Sequence, residues 1–392
     1  MSPLPFEASV EILADLVGFP TISAASNRAL IDHAARLLNA AGARVEVLAS
    51  ADGAKANLFA TLGPEVDGGI VLSGHTDVVP ADGAEWDSDP FALREADGRF
   101  YGRGTCDMKG FVAAALAMAP RFAAMPLVRP VHFAFTYDEE VGCLGARALA
   151  GHLADAPLRP AMAIVGEPTS MRVIEGHKGC HDYTTRFTGL EGHGSNPDRG
   201  VNAVEYAIRF AARLLALREP LVQRAPSASP FEPPWSTVQV GRIDGGTARN
   251  VIARHCEVEW EMRPVTAADA TFVKGELAAY CADVLLPEMR RLHPEATIET
   301  EILGEVPGLV PMEENAARDL LAHLTGANGA DTVAFGTEAG LFQALGLDVV
   351  VCGPGSISEA HKPNEFLSAD QLREALRLLA ALEGVLTQPE RR

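Results

Sequence analysis

The chain has 392 residues, 47% of them hydrophobic and 22% charged, with 33 basic against 52 acidic side chains and a formal net charge of −19. That length exceeds what one core usually fills, so two domains are expected, and the acidity excludes a continuous polyanion such as nucleic acid as a partner. No uninterrupted apolar run approaches the ~20 residues that span a bilayer, and the 6 cysteines are scattered singly with no Cys-x-x-Cys pair.

The first residues, MSPLPFEASVEILADLVGFPT, have no basic region before an apolar core, so no signal peptide is expected. The reading is a cytoplasmic protein with reduced cysteines and no membrane partner. Apolar side chains recur at helical spacing over 7–17, ended by Phe19-Pro20, and a second helix fits 27–41, closed by Gly42. Short runs at 44–49, 57–62 and 69–74 read as strands. The third ends in Gly74-His75-Thr76-Asp77. Residues i and i+2 of an extended segment share a face, so His75 and Asp77 project together from the strand's carboxyl end, where open α/β sheets place their sites.

The glycine-punctuated loop from Gly102 to Gly110 carries Asp107 and opens into an alanine-rich helix at 111–119. Alone, such an aspartate reads equally well as a helix N-cap. A strand over 131–137 finishes in Asp138-Glu139-Glu140, another helix starts near Leu144, and a short buried strand at 161–165 ends in Gly166-Glu167-Pro168-Thr169. Strand and helix alternate, as in a layered α/β domain.

From His177-Lys178-Gly179 the pattern changes. Strands are expected at 180–188, 236–244, 253–263 and 296–303, with helices at 201–217 and 267–292. That β-α-β-β-α-β order is the ferredoxin-like unit. The proline- and serine-rich stretch from Pro220 to Pro234 reads as a surface loop. Beyond Pro307 the α/β character resumes with a helix at 313–325, a turn at Phe335-Gly336-Thr337-Glu338, a strand at 348–352 and a last helix at 369–386.

Polar residues collect at the ends of the expected strands: His75, Asp77, Asp107, Glu139, Glu140, Glu167 and His361. Imidazoles and carboxylates of this kind suit a pair of zinc ions, and a single carboxylate can bridge two metals. Glu139 and Glu140, adjacent at a buried strand end, would repel and raise each other's pKa. A metal on one relieves that conflict and leaves its neighbour free as a general base. Taken by itself, the acidic triplet also reads as a solvated turn.

The segments SGHTDVVP, YGRGTCDMKG, TYDEEVG, GEPTS, GHKG, GHGSNPDRGVNA, GGTARNVIA, EMRP and GPGSISEAHKPNEF occur together in this order. On them the chain resembles the two-zinc metallohydrolases that include acetylornithine deacetylase, succinyl-diaminopimelate desuccinylase, aminoacylases and glutamate carboxypeptidase. The resemblance implies an α/β, zinc-peptidase-like catalytic domain in two segments, 1–178 and 305–392, interrupted by a ferredoxin-like dimerisation and lid domain at 179–304. It implies two Zn2+ per subunit, with Co2+ as a substitute. His75 and Glu167 would hold one ion, Glu140 and His361 the other, with Asp107 between them. Asp77 would orient His75 through its carboxylate, Glu139 would be the general base, and the Asp107-Met108 peptide would be strained.

By the same resemblance His193 reaches the neighbouring subunit's site in a homodimer and steadies the anionic intermediate, while Asn250 and Arg263 contact substrate. Arg263 could grip a carboxylate in bidentate fashion. Thr337, Glu338 and Lys178 complete the substrate-binding candidates. Glu338 either pairs with a substrate ammonium or complements a helix dipole. The expected substrate is a small N-acylated amino acid. GEPTS followed by HKG, together with 353–366, is most similar to the branch that hydrolyses N2-acetyl-L-ornithine to L-ornithine and acetate in arginine biosynthesis. A broader N-acyl-amino-acid deacylase and a succinyl-diaminopimelate desuccinylase are the alternatives. A non-catalytic binding protein on this scaffold would be expected to have lost a ligand or Glu139, and all seven positions are filled.

Overall fold

The strands of a parallel sheet are covered on both faces and therefore read as near-continuous apolar runs. Ile70–His75, Val131–Thr136 and Met162–Pro168 are buried at every position, and Asp348–Gly353 at every position after its first. The computed structural model, which describes residues 3–23, 25–82 and 85–388, sets these four side by side. Their order is Val131–Thr136, Ile70–His75, Met162–Pro168, Asp348–Gly353, and each neighbouring pair is parallel. All four carboxyl ends therefore open on one edge of the sheet. Ala56–Leu62 and Arg44–Ala49 extend it as antiparallel strands.

The helix Gly110–Ala123 packs against this sheet and against the helices Phe6–Val17 and Ala369–Ala381. Its alanines let it sit deep: Ala113, Ala114 and Ala115 have no exposed surface. With Leu72, Phe111, Phe133 and Leu376 they form one continuous apolar core. This unit comprises the chain up to Gly176, Leu309–Thr332, and the residues from Thr337 onward.

The second unit is His177–Gly308 with Val333–Gly336. Its strands Cys180–Thr188, Thr237–Gly245, His255–Arg263 and Thr297–Val306 are interleaved with the helices Ala203–Ala216 and Ala267–Tyr280. In the antiparallel sheet the second strand lies at one edge, then the third, the first and the fourth, the ferredoxin-like arrangement. His255–Arg263 alternates, burying Cys256, Val258, Trp260 and Met262. Trp260 stacks on Tyr183 at 4.2 Å between ring centroids, and Phe187 and Phe210 complete this core.

Three local expectations change. The single helix expected over 267–292 divides into Ala267–Tyr280, a wider turn Cys281–Leu285 and Leu286–Arg290, because Pro287 has no N–H to continue the ladder. The expected loop after Pro220 begins inside a helix, Arg218–Gln223, where a proline in the first turn loses nothing. The three-residue strands Arg94–Ala96, Arg99–Tyr101 and Phe366–Ser368 form a small separate sheet, too short to leave a periodic signal.

Candidate metal centre

The four parallel strands deliver the chemistry. His75 ends its strand, Glu139 and Glu140 follow Thr136, Glu167 lies near the end of Met162–Pro168, and His361 follows Gly353 in the next loop. Asp107 comes from the loop before the alanine-rich helix, and its peptide to Met108 is cis. Its two carboxylate oxygens point in different directions. Oδ1 lies 3.0 Å from His75 Nε2, and Oδ2 lies 3.4 Å from His361 Nε2. Glu167 Oε1 is 3.7 Å from His75 Nε2, and Glu140 is 3.1 Å from His361 Nε2. His75, Glu139 and Glu167 bring ligand atoms within 4.8 Å of one another, as do His75, Asp107 and Glu140.

The electrostatics describe a cluster short of positive charge. Burial, reinforced by Glu140, Asp107 and Asp77 against the pull of His75, pushes Glu139 up to about 8. Burial also raises Glu140 and, more strongly, Glu167. Asp107 goes the other way, because hydrogen bonds from His361 and His75 outweigh its burial. Asp107 and Glu140 in turn hold a proton on His361, raised to about 10. Burial opposes a charge on His75, but Asp107 and Glu167 keep it protonated well above the ordinary imidazole range. Among the described residues Glu167 Oε1 is buried with no hydrogen-bond partner, a lone pair aimed into the cluster. This donor set fits a pair of divalent cations, which would replace those protons.

The backbone carbonyl of Asp77 accepts a hydrogen bond from His75 Nδ1 at 2.9 Å, which fixes the ring so that Nε2 faces the carboxylates. The carboxylate expected in that role stands 3.6 Å away. It instead accepts from the backbone N–H of Glu139 at 3.1 Å, from that of Glu140 at 3.3 Å, and from Ser23 Oγ at 2.8 Å. Asp77 thus couples the His75 ring, held by its main chain, to the acidic turn, held by its side chain. Lys55 braces the same turn, donating to Asp138 and to the Ser23 carbonyl. Ser23 and Lys55 carried no signal in sequence, since each lies more than thirty positions from the residues it holds.

Three of the substrate-binding candidates are buried and make their contacts within the protein. Glu338 is 1% exposed, with Oε1 accepting from Ser73 Oγ at 2.6 Å and Oε2 from Thr136 Oγ1 at 2.7 Å. Burial raises its pKa, and its carboxylate ties two strands together instead of facing an opening. Thr337, also 1% exposed, accepts from the N–H of Ala339. Lys178 is 5% exposed and donates to the Trp235 carbonyl at 2.8 Å, so its ammonium is engaged within its own unit.

The remaining candidates lie in the second unit. His193 and Asn250 are brought together: Gly192–His193 pairs with Val251–Ile252, and the Asn250 carbonyl accepts from Gly194 N–H at 2.8 Å. Both residues are exposed. His193 Nδ1 accepts from the backbone N–H of Ser195 at 3.2 Å and lies 2.8 Å from Ser195 Oγ, which leaves Nε2 as the proton-bearing atom. Arg263 uses Nε and Nη2 on Glu261, at 3.2 and 2.8 Å.

Two overlapping sets of imidazole and carboxylate ligands at the carboxyl edge of a buried parallel sheet define a metal-dependent hydrolase on a layered α/β scaffold. The match to known proteins narrows this: residues 71–382 fit the description of peptidase family M20/M25/M40, and the chain belongs to that family. It is 37% identical over 384 residues to an acetylornithine deacetylase of Pasteurella multocida, covering 96% of this chain and 97% of that one. The acetylornithine deacetylase of Photorhabdus laumondii is 35% identical over 380 residues, covering 95% and 96%. Among solved structures, the chain shares its fold with a metallo-carboxypeptidase of Sulfolobus solfataricus, at TM-score 0.74, 16% identity and 97% and 99% coverage. It also matches a dinuclear metal binding peptidase of Bacillus subtilis, at TM-score 0.61, 18% identity and 97% and 98% coverage. No helix among the described residues is long and apolar enough to cross a membrane.

Proposed function

We propose that this chain is a two-zinc amidohydrolase that converts N2-acetyl-L-ornithine to L-ornithine and acetate. The observation that carries the chemistry is the division of the Asp107 carboxylate, one oxygen toward His75 and the other toward His361. The substrate rests on the relatives of that activity, alike over nearly the full length of both chains. His75 and Glu167 would hold one ion and Glu140 and His361 the other, with the Asp107 carboxylate shared between the two positions. Zn2+ is the resident metal, and Co2+ substitutes.

When bound, two divalent ions supply Lewis-acid activation of water and of the scissile carbonyl. The chain's own residues do the rest. Glu139 takes a proton from the attacking water as the new C–O bond forms. It then delivers that proton to the amide nitrogen as the C–N bond breaks, so acetate and a free amine leave together. Asp77 keeps Glu139 and Glu140 in place by accepting from both backbone N–H groups. His193, with its proton on Nε2, donates to the oxyanion. It does so from a second copy of the chain in a homodimer. Thr297–Val306 is an edge of the second unit's sheet, and Ile302 and Leu303 on it are 54% and 43% exposed. An edge strand with exposed apolar side chains suits an isologous contact. Asn250 and Arg263 bind substrate, and the enzyme works in the cytoplasm.

Glu139→Gln tests the assignment. The amide keeps the shape but cannot accept the proton, so the variant retains both metals while kcat falls by about 10²- to 10⁴-fold. Turnover near the wild-type value sinks the role.

A further inference from the structure

Glu365, four residues beyond His361, is 1% exposed. Its Oε1 accepts from the backbone N–H of Cys106 at 2.8 Å and of Asp107 at 3.1 Å. Its Oε2 accepts from the N–H of Gly104 at 3.0 Å and from Arg103 Nη1 at 2.8 Å. The Gly102–Asp107 loop is therefore wrapped around one carboxylate. Arg103, 3% exposed, closes the circuit by donating to the carbonyls of Lys362 and Pro80, each at 3.3 Å. The Glu365 carbonyl also accepts from Gly102 N–H at 3.1 Å.

These contacts join two of the cluster's segments that lie outside the strands, those of Asp107 and His361; the Glu139-Glu140 turn is held separately, by Asp77 and Lys55. His75 and Glu167 sit on buried parallel strands and need no such tie. Asp107 and His361 stand on loops, with His361 at φ 62° and its side chain 50% exposed. We propose that Glu365, seated by Arg103, is the positioning residue that sets the spacing of Asp107 to His361, and so governs the metal position held by His361 and Glu140 more than the one held by His75 and Glu167. This rests on the two-metal reading of the site.

The chemistry of the contacts explains why the residue is an acid. Every group around Glu365 named above is an N–H donor, two to each oxygen. A glutamine is nearly the same shape but presents one acceptor and one NH2, so in either orientation two donors meet a donor. The loss falls on both loops at once.

The test is a titration of metal-free protein with Co2+, following the visible ligand-field absorption and the heat of binding, on wild type and Glu365→Gln. Wild type binds two ions. The variant should bind its first ion within about threefold of wild-type affinity and its second at least about tenfold more weakly, with a changed absorption for the second only. kcat falls, and KM changes less than about threefold. Two wild-type affinities in Glu365→Gln overturn the clamp and leave the two-metal reading standing, as does equal weakening of both ions in a protein with native circular dichroism. A wild-type chain that binds one ion overturns both. If Glu365→Gln does not fold, Arg103→Lys decides: it keeps the charge but loses the forked reach to Lys362 and Pro80. It must weaken the second ion at least about threefold, and an unchanged second ion overturns the proposal.

Discussion

Glu338→Gln decides whether this carboxylate meets a substrate ammonium or holds the sheet. Both of its oxygens take hydrogen bonds from hydroxyls, Ser73 Oγ at 2.6 Å and Thr136 Oγ1 at 2.7 Å. Hydroxyls accept as readily as they donate, so a glutamine can accept from one and donate to the other. Each bond then changes from charge-assisted, worth about 1.5–3 kcal/mol, to neutral, worth about 0.5–1.5 kcal/mol. Over the two bonds the loss is about 2–3 kcal/mol, offset by a penalty of similar size that is relieved when a buried carboxylate becomes neutral. The net change in stability is within about 1 kcal/mol by urea unfolding. Because the side chain is 1% exposed, kcat/KM for N2-acetyl-L-ornithine stays within about threefold of wild type. A rise of about tenfold or more in KM for acetylornithine, with N-acetylated neutral amino acids unaffected, refutes this reasoning, because it equals a lost interaction of about 1.4 kcal/mol with the ammonium.

Burial pushes His132 down to about 4, against a contact from its ring to the Gly68 carbonyl. An unfolded histidine titrates near 6.5, so the unfolded chain binds more protons between these values. Stability is then complete above about pH 6.5 and falls by about 3 kcal/mol as pH drops toward 4. His132→Gln should flatten that slope in denaturant unfolding, and an unchanged slope refutes the assignment. At Gly166 an added Cβ would lie 1.9 to 2.4 Å from ring atoms of Phe111, so Gly166→Ala should cost about 1–3 kcal/mol or more and lower the melting temperature. Partial recovery in combination with Phe111→Leu would locate the clash, and an unshifted melting temperature would contradict it.

What was legible in sequence follows from local physics. The central strands announced themselves as apolar runs because both faces are covered, and the ferredoxin-like order survived because each of its elements is long enough to show its period. The cluster was legible where strands end: His75, Glu139, Glu140 and Glu167 each terminate or follow an apolar run. Side-chain direction was not. Asp77 shares a face with His75 in an ideal strand, yet its carboxylate turns to the N–H groups of residues 139 and 140, a choice set by a turn 62 positions away. Glu338 looked like a helix-start carboxylate and proved to be buried beside Ser73, 265 positions distant. Lys178 was a substrate-binding candidate and Glu365 carried no assigned role, and only tertiary contacts show both to be buried. Ser23 and Lys55 belong with these: ordinary residue types whose work depends on what the fold brings to them.

The account stands most directly on one comparison: kcat/KM of the zinc-loaded protein for N2-acetyl-L-ornithine, N-succinyl-diaminopimelate and several N-acetylated neutral amino acids. It predicts acetate release from acetylornithine preferred by about tenfold or more over every other substrate. A flat profile across the neutral substrates, or a preference for the succinylated one, would contradict it.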